Sequence, residues 1–213
     1  MLERFRQFWT GVWAPVGDLL LAIGVTANQV TVVGTVGVVS GALVCFPQGW
    51  LFWGVIWITA FVFSDMIDGY MSRKVGSPSK FGAFLDSTMD RIGDGAIFGG
   101  IALYYASSHA TVDLGDVDVY LWLSLVCLVM GSVTSYARSR AESLGYDAKV
   151  GIAERSDRLV SILVMTGISG LLDLPFLMEI TLWALAAAST VTVIQRIWVV
   201  RQQALAETER DRD

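Results

Sequence analysis

Residues 65–90 read DMIDGYMSRKVGSPSKFGAFLDSTMD: Asp65-x-x-Asp68-Gly69-x-x-Ser72-Arg73, eight further residues, then Gly82-x-x-x-Asp86-x-x-x-Asp90. Asp65 and Asp68 are spaced i, i+3 and Asp86 and Asp90 i, i+4, so on helices each pair shares one face. Both pairs stand at the ends of long apolar runs, the first being LFWGVIWITAFVFS from Leu51 to Ser64. A carboxylate inside a membrane helix costs about 2.5–3.5 kcal/mol on insertion scales, so four together require a compensating cation. An all-oxygen donor set suits a hard ion, Mg²⁺ or Mn²⁺.

Composition sets the environment. Of 213 residues, 54% are hydrophobic and 16% charged, with a mean hydropathy of +0.57. A soluble domain carries about 25% charged residues, so the expected fold class is an all-α integral membrane protein. At about 20 residues per crossing there is room for six transmembrane helices in a single domain, 1–213. They are drawn at about residues 28–46, 51–72, 82–107, 117–140, 157–174 and 177–200. Preceding them, Leu2, Phe5, Phe8, Trp9, Val12, Trp13 and Val16 recur at helical spacing, with Arg4, Arg6 and Gln7 between. That pattern predicts an N-terminal interfacial amphipathic helix over 1–22. Asp18 interrupts the apolar run and no A-x-A site follows, so the segment is read as retained rather than cleaved. Thr26-Ala27-Asn28-Gln29 predicts a capping-box start to the first span, and residues 204–213 form a polar tail.

The formal net charge of −5 conceals an asymmetry. Arg4 and Arg6 lie at the N-terminus, and Arg73, Lys74, Lys80 and Arg91 in or beside the second connection. Arg138, Arg140, Lys149, Arg155 and Arg158 flank the fourth, and Arg196, Arg201, Arg210 and Arg212 lie toward the C-terminus. These account for all 15 basic residues. The positive-inside rule then places both termini and the aspartate cluster on the cytoplasmic side of the cell membrane. The other connections hold acids (Asp113, Asp116, Asp118) and His109, which is read as exposed to solvent. Trp50 and Trp53 fit an aromatic belt, and Cys45 and Cys127, without CxxC spacing, are read as small hydrophobes. Gly37-x-x-x-Gly41, Gly95-x-x-x-Gly99 with Gly100, and Gly131 mark close helix contacts, either internal or between copies.

The aspartate spacing resembles the signature of the CDP-alcohol phosphatidyltransferases, D-x2-D-G-x2-A-R-x8-G-x3-D-x3-D, with Ser72 where Ala is usual. The resemblance implies a CDP-diacylglycerol donor, release of CMP, and two metal ions held by Asp65, Asp68, Asp86 and Asp90. It also implies that Asp90 is the catalytic base on the acceptor hydroxyl. Gly69, Arg73 and Ser79 match positions contacting the cytidine diphosphate, with Gly82 allowing close approach at the next helix. Asn28, Gln29, Val30 and Thr31 match a further nucleotide-contacting stretch, although the family often has Pro-Asp where this chain has Ala27-Asn28. A homodimer is implied as well. Two metals about 3.5–4 Å apart clamp a phosphoryl centre and stabilise attacking and leaving oxygens, which is chemistry four aspartates suit.

The arginines suggest the acceptor. A guanidinium fork recognises phosphate bidentately, so an arginine cluster at the level of the aspartates predicts an acceptor alcohol carrying its own phosphate. Over nearly its whole length the chain is most similar to family members that use inositol 1-phosphate. By position, Arg138, where those members more often have Lys, and Arg155 and Arg196 are candidates for its phosphate, while Arg140 and Arg158 are read as surface or salt-bridge residues. Glycerol 3-phosphate is the alternative acceptor in the family. From another class, a divalent-cation transporter would need acids along the far side of the helices, where Asp113, Asp116 and Asp118 lie in a loop instead. Asp94 extends the Asp86–Asp90 stripe by one turn, and its spacing fits either support of a metal site or pairing with an arginine. Nothing in the pattern calls for a nucleic-acid partner.

Overall fold

The computed structural model describes residues 14–76 and 79–210, and among these there is no β-strand. Helix α1 covers 14–22, α2 Ala27–Ser40, α3 Leu51–Val62, α4 Ser64–Lys74, α5 Lys80–Tyr105, α6 Val117–Ser143, α7 Arg155–Leu172 and α8 Pro175–Arg210. The stripe from Leu2 to Trp13 lies outside the described residues.

Four stretches are long and apolar enough to cross a membrane: Ala27–Gln48, Leu51–Lys74, Val117–Ser143 and Pro175–Glu209. Helices α5 and α7, also drawn as spans from the sequence, differ because charge intrudes. The last 18 residues of α5 (88–105) still include Asp90, Arg91 and Asp94, and α7 opens with Arg155, Asp157 and Arg158.

Local chemistry sets the helix starts. Thr26 caps α2 as its neighbours predict: its hydroxyl accepts the Gln29 N–H at 3.3 Å and its own N–H donates to Gln29 Oε1 at 2.9 Å. Ser79 caps α5 by accepting the Gly82 N–H at 2.8 Å. Two irregularities break the expected spans. The first helix passes into a π turn at Gly41–Cys45 and a 3₁₀ turn at Phe46–Gln48, and the second breaks at Phe63 between α3 and α4. Close backbone approach accompanies both. A Cβ on Gly100 of α5 would collide with the Ala42 carbonyl inside the π turn, and one on Gly34 with the Ser64 hydroxyl at the start of α4. Gly37 and Gly41 face the rings of Phe61 and Trp57, so this small-residue pair serves internal packing, whereas nothing lies within 4 Å of a Cβ on Gly95.

Helix α5 packs on α2 and α6, α6 on α8, and α7 on α3 and α8. Phe46, Ile58, Ile97, Ile101, Tyr105, Tyr120, Met178 and Leu182 fill the core. At one end the fully buried Glu179 of α8 accepts the backbone N–H groups of Asp113 and Leu114 at 2.8 and 2.9 Å, fastening the 106–116 connection down. At the other, the 144–154 connection is fastened by Thr192, whose hydroxyl accepts from Ile152 and Ala153, and by two buried arginines described below.

Gly100→Val is expected to lower stability by roughly 1–3 kcal/mol, the cost of forcing bulk into a filled contact. Gly95→Ala, open to space, is expected to cost nothing. Thermal unfolding in detergent reads both, and equal melting of the two variants contradicts this packing.

Candidate active site

The signature spans the α4–α5 corner, and the fold turns its two carboxylate pairs toward one space. Helix α4 starts at Ser64, immediately before Asp65, so Asp65 and Asp68 lie in its first two turns. Helix α5 begins directly after its cap Ser79, placing Asp86 and Asp90 two and three turns along it. A cavity of about 720 Å³ lies between them, lined by Asn28 and Thr31 of α2, Asp65, Asp68 and Gly69 of α4, Ser79, Gly82, Asp86 and Asp90 of α5, and Arg155. The Thr31 hydroxyl donates to Asp68 Oδ2 at 2.5 Å, and Asp68 is 8% exposed. Arg155 Nη2 lies 2.9 Å from Asp90 Oδ1. With Asp68 and Asp90 each held by a neighbour, no three metal-ligating side chains among the described residues close on a single point. The donor set is nonetheless four carboxylates facing one cavity, which suits a hard divalent cation.

Not every expected nucleotide contact faces that space. Gln29 is occupied in the α2 capping box, Val30 is buried in the packing of α2, and Arg73 is exposed beside Gly69. Asn28, Thr31, Gly69, Ser79 and Gly82 do line it. At its rim, α1 is tied to α4: Lys74 Nζ and the Tyr70 hydroxyl donate to Asp18 at 2.6 and 2.8 Å. Those bonds hold the Asp18 carboxyl below its ordinary value.

A second cavity, of about 1020 Å³, opens on the other side of Arg155. Its walls carry Thr88 and Arg91 of α5, Ser132, Ser135, Arg138 and Ser139 of α6, Ser156 and Arg158 of α7, and Arg196 of α8. All three arginines proposed for phosphate therefore reach one space, but they differ in freedom. Arg138 is half-buried and paired with Glu142 at 3.0 Å. Arg196 is 4% exposed and donates to the carbonyls of Val150 at 2.9 Å and Thr134 at 2.5 Å. That leaves part of its five-donor guanidinium for a ligand. Arg158, read from sequence as a surface or salt-bridge residue, is instead 2% exposed and donates to the backbone carbonyls of Ala153 and Gly131. Its cation is buried because those carbonyls replace water. Sequence reasoning also passed over Ser132, Ser135 and Ser139, whose i, i+3, i+7 spacing on α6 is a hydroxyl stripe legible in retrospect.

An acid-lined cavity and a basic one, meeting at Asp90 and Arg155, suit transfer between two anionic substrates. The chain belongs to the CDP-alcohol phosphatidyltransferase family, whose model matches residues 24–195. It is 47% identical over 210 residues to the phosphatidylinositol phosphate synthase of Streptomyces avermitilis, covering 95% of this chain and 84% of that one. It is 47% identical over 211 residues to the synthase of the same name from Cutibacterium acnes, covering 95% and 98%. The crystal structure of Mycobacterium tuberculosis phosphatidylinositol phosphate synthase with CDP-diacylglycerol bound matches with a TM-score of 0.80 at 38% identity, over 89% of this chain and 93% of that one. The same enzyme in complex with manganese and citrate matches with a TM-score of 0.80, over 88% of each chain.

Arg196→Met strands the Val150 and Thr134 carbonyls and is expected to lose roughly 1–3 kcal/mol of stability. Arg138→Met, at an exposed pair, is expected to stay within about 0.5 kcal/mol of the parent. Denaturation of the two variants in detergent checks the contrast.

Proposed function

We propose that the protein transfers the phosphatidyl group of CDP-diacylglycerol to a hydroxyl of inositol 1-phosphate, forming phosphatidylinositol phosphate and CMP. The observation that carries this is the junction at Asp90 and Arg155, where a carboxylate-lined cavity meets one walled by arginines and hydroxyls. The relatives named above bear the name of that activity.

Two divalent cations, Mg²⁺ or Mn²⁺, would be held by Asp65, Asp68, Asp86 and Asp90, and when bound they supply the positive charge that neutralises the pyrophosphate and the departing CMP. Asn28, Thr31, Gly69, Ser79 and Gly82 border the space for the nucleotide end of the donor, with Gln29, Val30 and Arg73 beside it. Arg138, Arg155 and Arg196 address the acceptor's phosphate. The Ser132 and Ser135 hydroxyls donate to the carbonyls of Leu128 and Gly131 on their own helix. They therefore offer lone pairs to the hydroxyls of a polyol. Asp90 takes the proton as the acceptor hydroxyl oxygen attacks the phosphorus carrying diacylglycerol, and the bond from that phosphorus to the CMP oxygen breaks.

In the membrane, α5 and α7 complete six spans within a single 1–213 domain, shielded from lipid at their charged ends by the neighbouring helices. Residues 1–22 lie as an interfacial helix, 204–213 form a polar tail, and the termini and active site face the cytoplasm. A homodimer is the expected assembly.

Purified protein given CDP-diacylglycerol and Mg²⁺ is expected to form labelled lipid with inositol 1-phosphate and to stop doing so in Asp90→Asn or after chelation. Product with glycerol 3-phosphate instead overturns the acceptor. Absence of product with either, together with metal-dependent ion flux in liposomes, overturns the enzyme reading. In the same assay Thr31→Val, which removes the partner of Asp68, is expected to raise the Mg²⁺ requirement about 10–100-fold.

A further inference from the structure

We infer that Asp94 is a positioning residue for the acceptor, holding the Arg155 guanidinium at the boundary between the two cavities. The inference rests on the acceptor reading above and assigns a role to a carboxylate that the signature does not contain.

The geometry is specific. Arg155 Nε lies 3.0 and 3.1 Å from the two Asp94 carboxylate oxygens, and Nη2 lies 3.0 Å from Oδ1 of the same group. The same Nη2 reaches Asp90 Oδ1 at 2.9 Å. Asp94 also accepts a second cation, Arg91 Nη2, at 3.4 Å. Its side chain is 13% exposed, less than that of Asp90 at 22%. Arg155 lines both cavities and Arg91 the basic one, yet Asp94 lines neither. It can therefore act on a substrate only through the arginines it holds.

Arg155 stands between two carboxylates that compete for it. With Asp94 holding the Nε edge, Asp90 engages a single Nη2, and the remaining Nη1 edge is available to a phosphate in the basic cavity. If Asp94 is neutralised, the guanidinium loses its anchor and the other carboxylate paired with it is Asp90. A two-bond fork on Asp90 then draws Arg155 out of the basic cavity and occupies the base. Acceptor binding and base availability thus depend together on a residue that touches neither substrate.

The test is equilibrium binding of inositol 1-phosphate to the full-length protein in detergent, by titration calorimetry without donor or metal, with glycerol 3-phosphate titrated in parallel. Asp94→Asn is expected to weaken acceptor binding about tenfold, the scale of one lost set of charge-assisted hydrogen bonds. In Arg155→Gln the further change Asp94→Asn is expected to have no additional effect, because the pair acts as one unit. In turnover, the acceptor KM is expected to rise and kcat to fall, while the KM for CDP-diacylglycerol holds. Unchanged binding in Asp94→Asn overturns the inference, as do losses that simply add in the double variant or a donor KM that rises equally. If Asp94→Asn does not fold, the same cycle is run with Asp94→Glu, which keeps the charge and displaces the carboxylate by one methylene. Failure of the acceptor reading is separately visible: wild type then binds only glycerol 3-phosphate, on which the cycle still decides the role of Asp94. Wild type that binds neither anion overturns both.

Discussion

Concentrated negative charge on membrane helices is the constraint on which this structure turns. Asp65, Asp68, Asp86 and Asp90 face one cavity, and at the cost of carboxylates in apolar surroundings such a set persists only with compensation close by. The protein supplies part of it from its own side chains, with the Thr31 hydroxyl on Asp68 and the Arg155 guanidinium on Asp90. In the proposed function a divalent cation would supply the rest. Bringing α4 and α5 alongside α2 closely enough depends on small residues at the contacts, Gly34 against Ser64 and Gly100 against the Ala42 carbonyl.

The basic side of the site solves the converse problem. Arg158 and Arg196 are almost wholly buried, and each donates to one backbone carbonyl of α6 and one of the 144–154 connection. Those carbonyls satisfy the cations and at the same time fasten the 144–154 connection, so the wall of the basic cavity and the stability of the fold share the same bonds. Arg155 differs because its partners are carboxylates of the site itself. Among the arginines of the described residues, it borders both cavities.

The sequence was most informative where chemistry is local. The D-x2-D-G to D-x3-D spacing picked out four carboxylates that line one cavity, and Thr26 with Gln29 marked the start of α2. It was less informative where the cause is tertiary. The break at Phe63 and the π turn at Gly41–Cys45 accompany contacts with distant residues that no periodicity in the segments records. Positive-inside topology by itself puts every arginine at the same membrane face, so the buried Arg158 and the half-buried Arg138 look alike in sequence. Asp94 was ambiguous for a similar reason, since a third acid on a stripe does not reveal whether it faces metal or cation. Among the charges that exclude α5 and α7 from the four plainly apolar spans are Asp90 and Arg155, where the two cavities meet.

The most direct test of the account is anomalous diffraction at the manganese edge from crystals grown with Mn²⁺ and CDP-diacylglycerol. The account predicts density between α4 and α5, coordinated by oxygens of Asp65, Asp68, Asp86 and Asp90. Manganese bound instead by Asp113, Asp116 or Asp118, with none between α4 and α5, would contradict it.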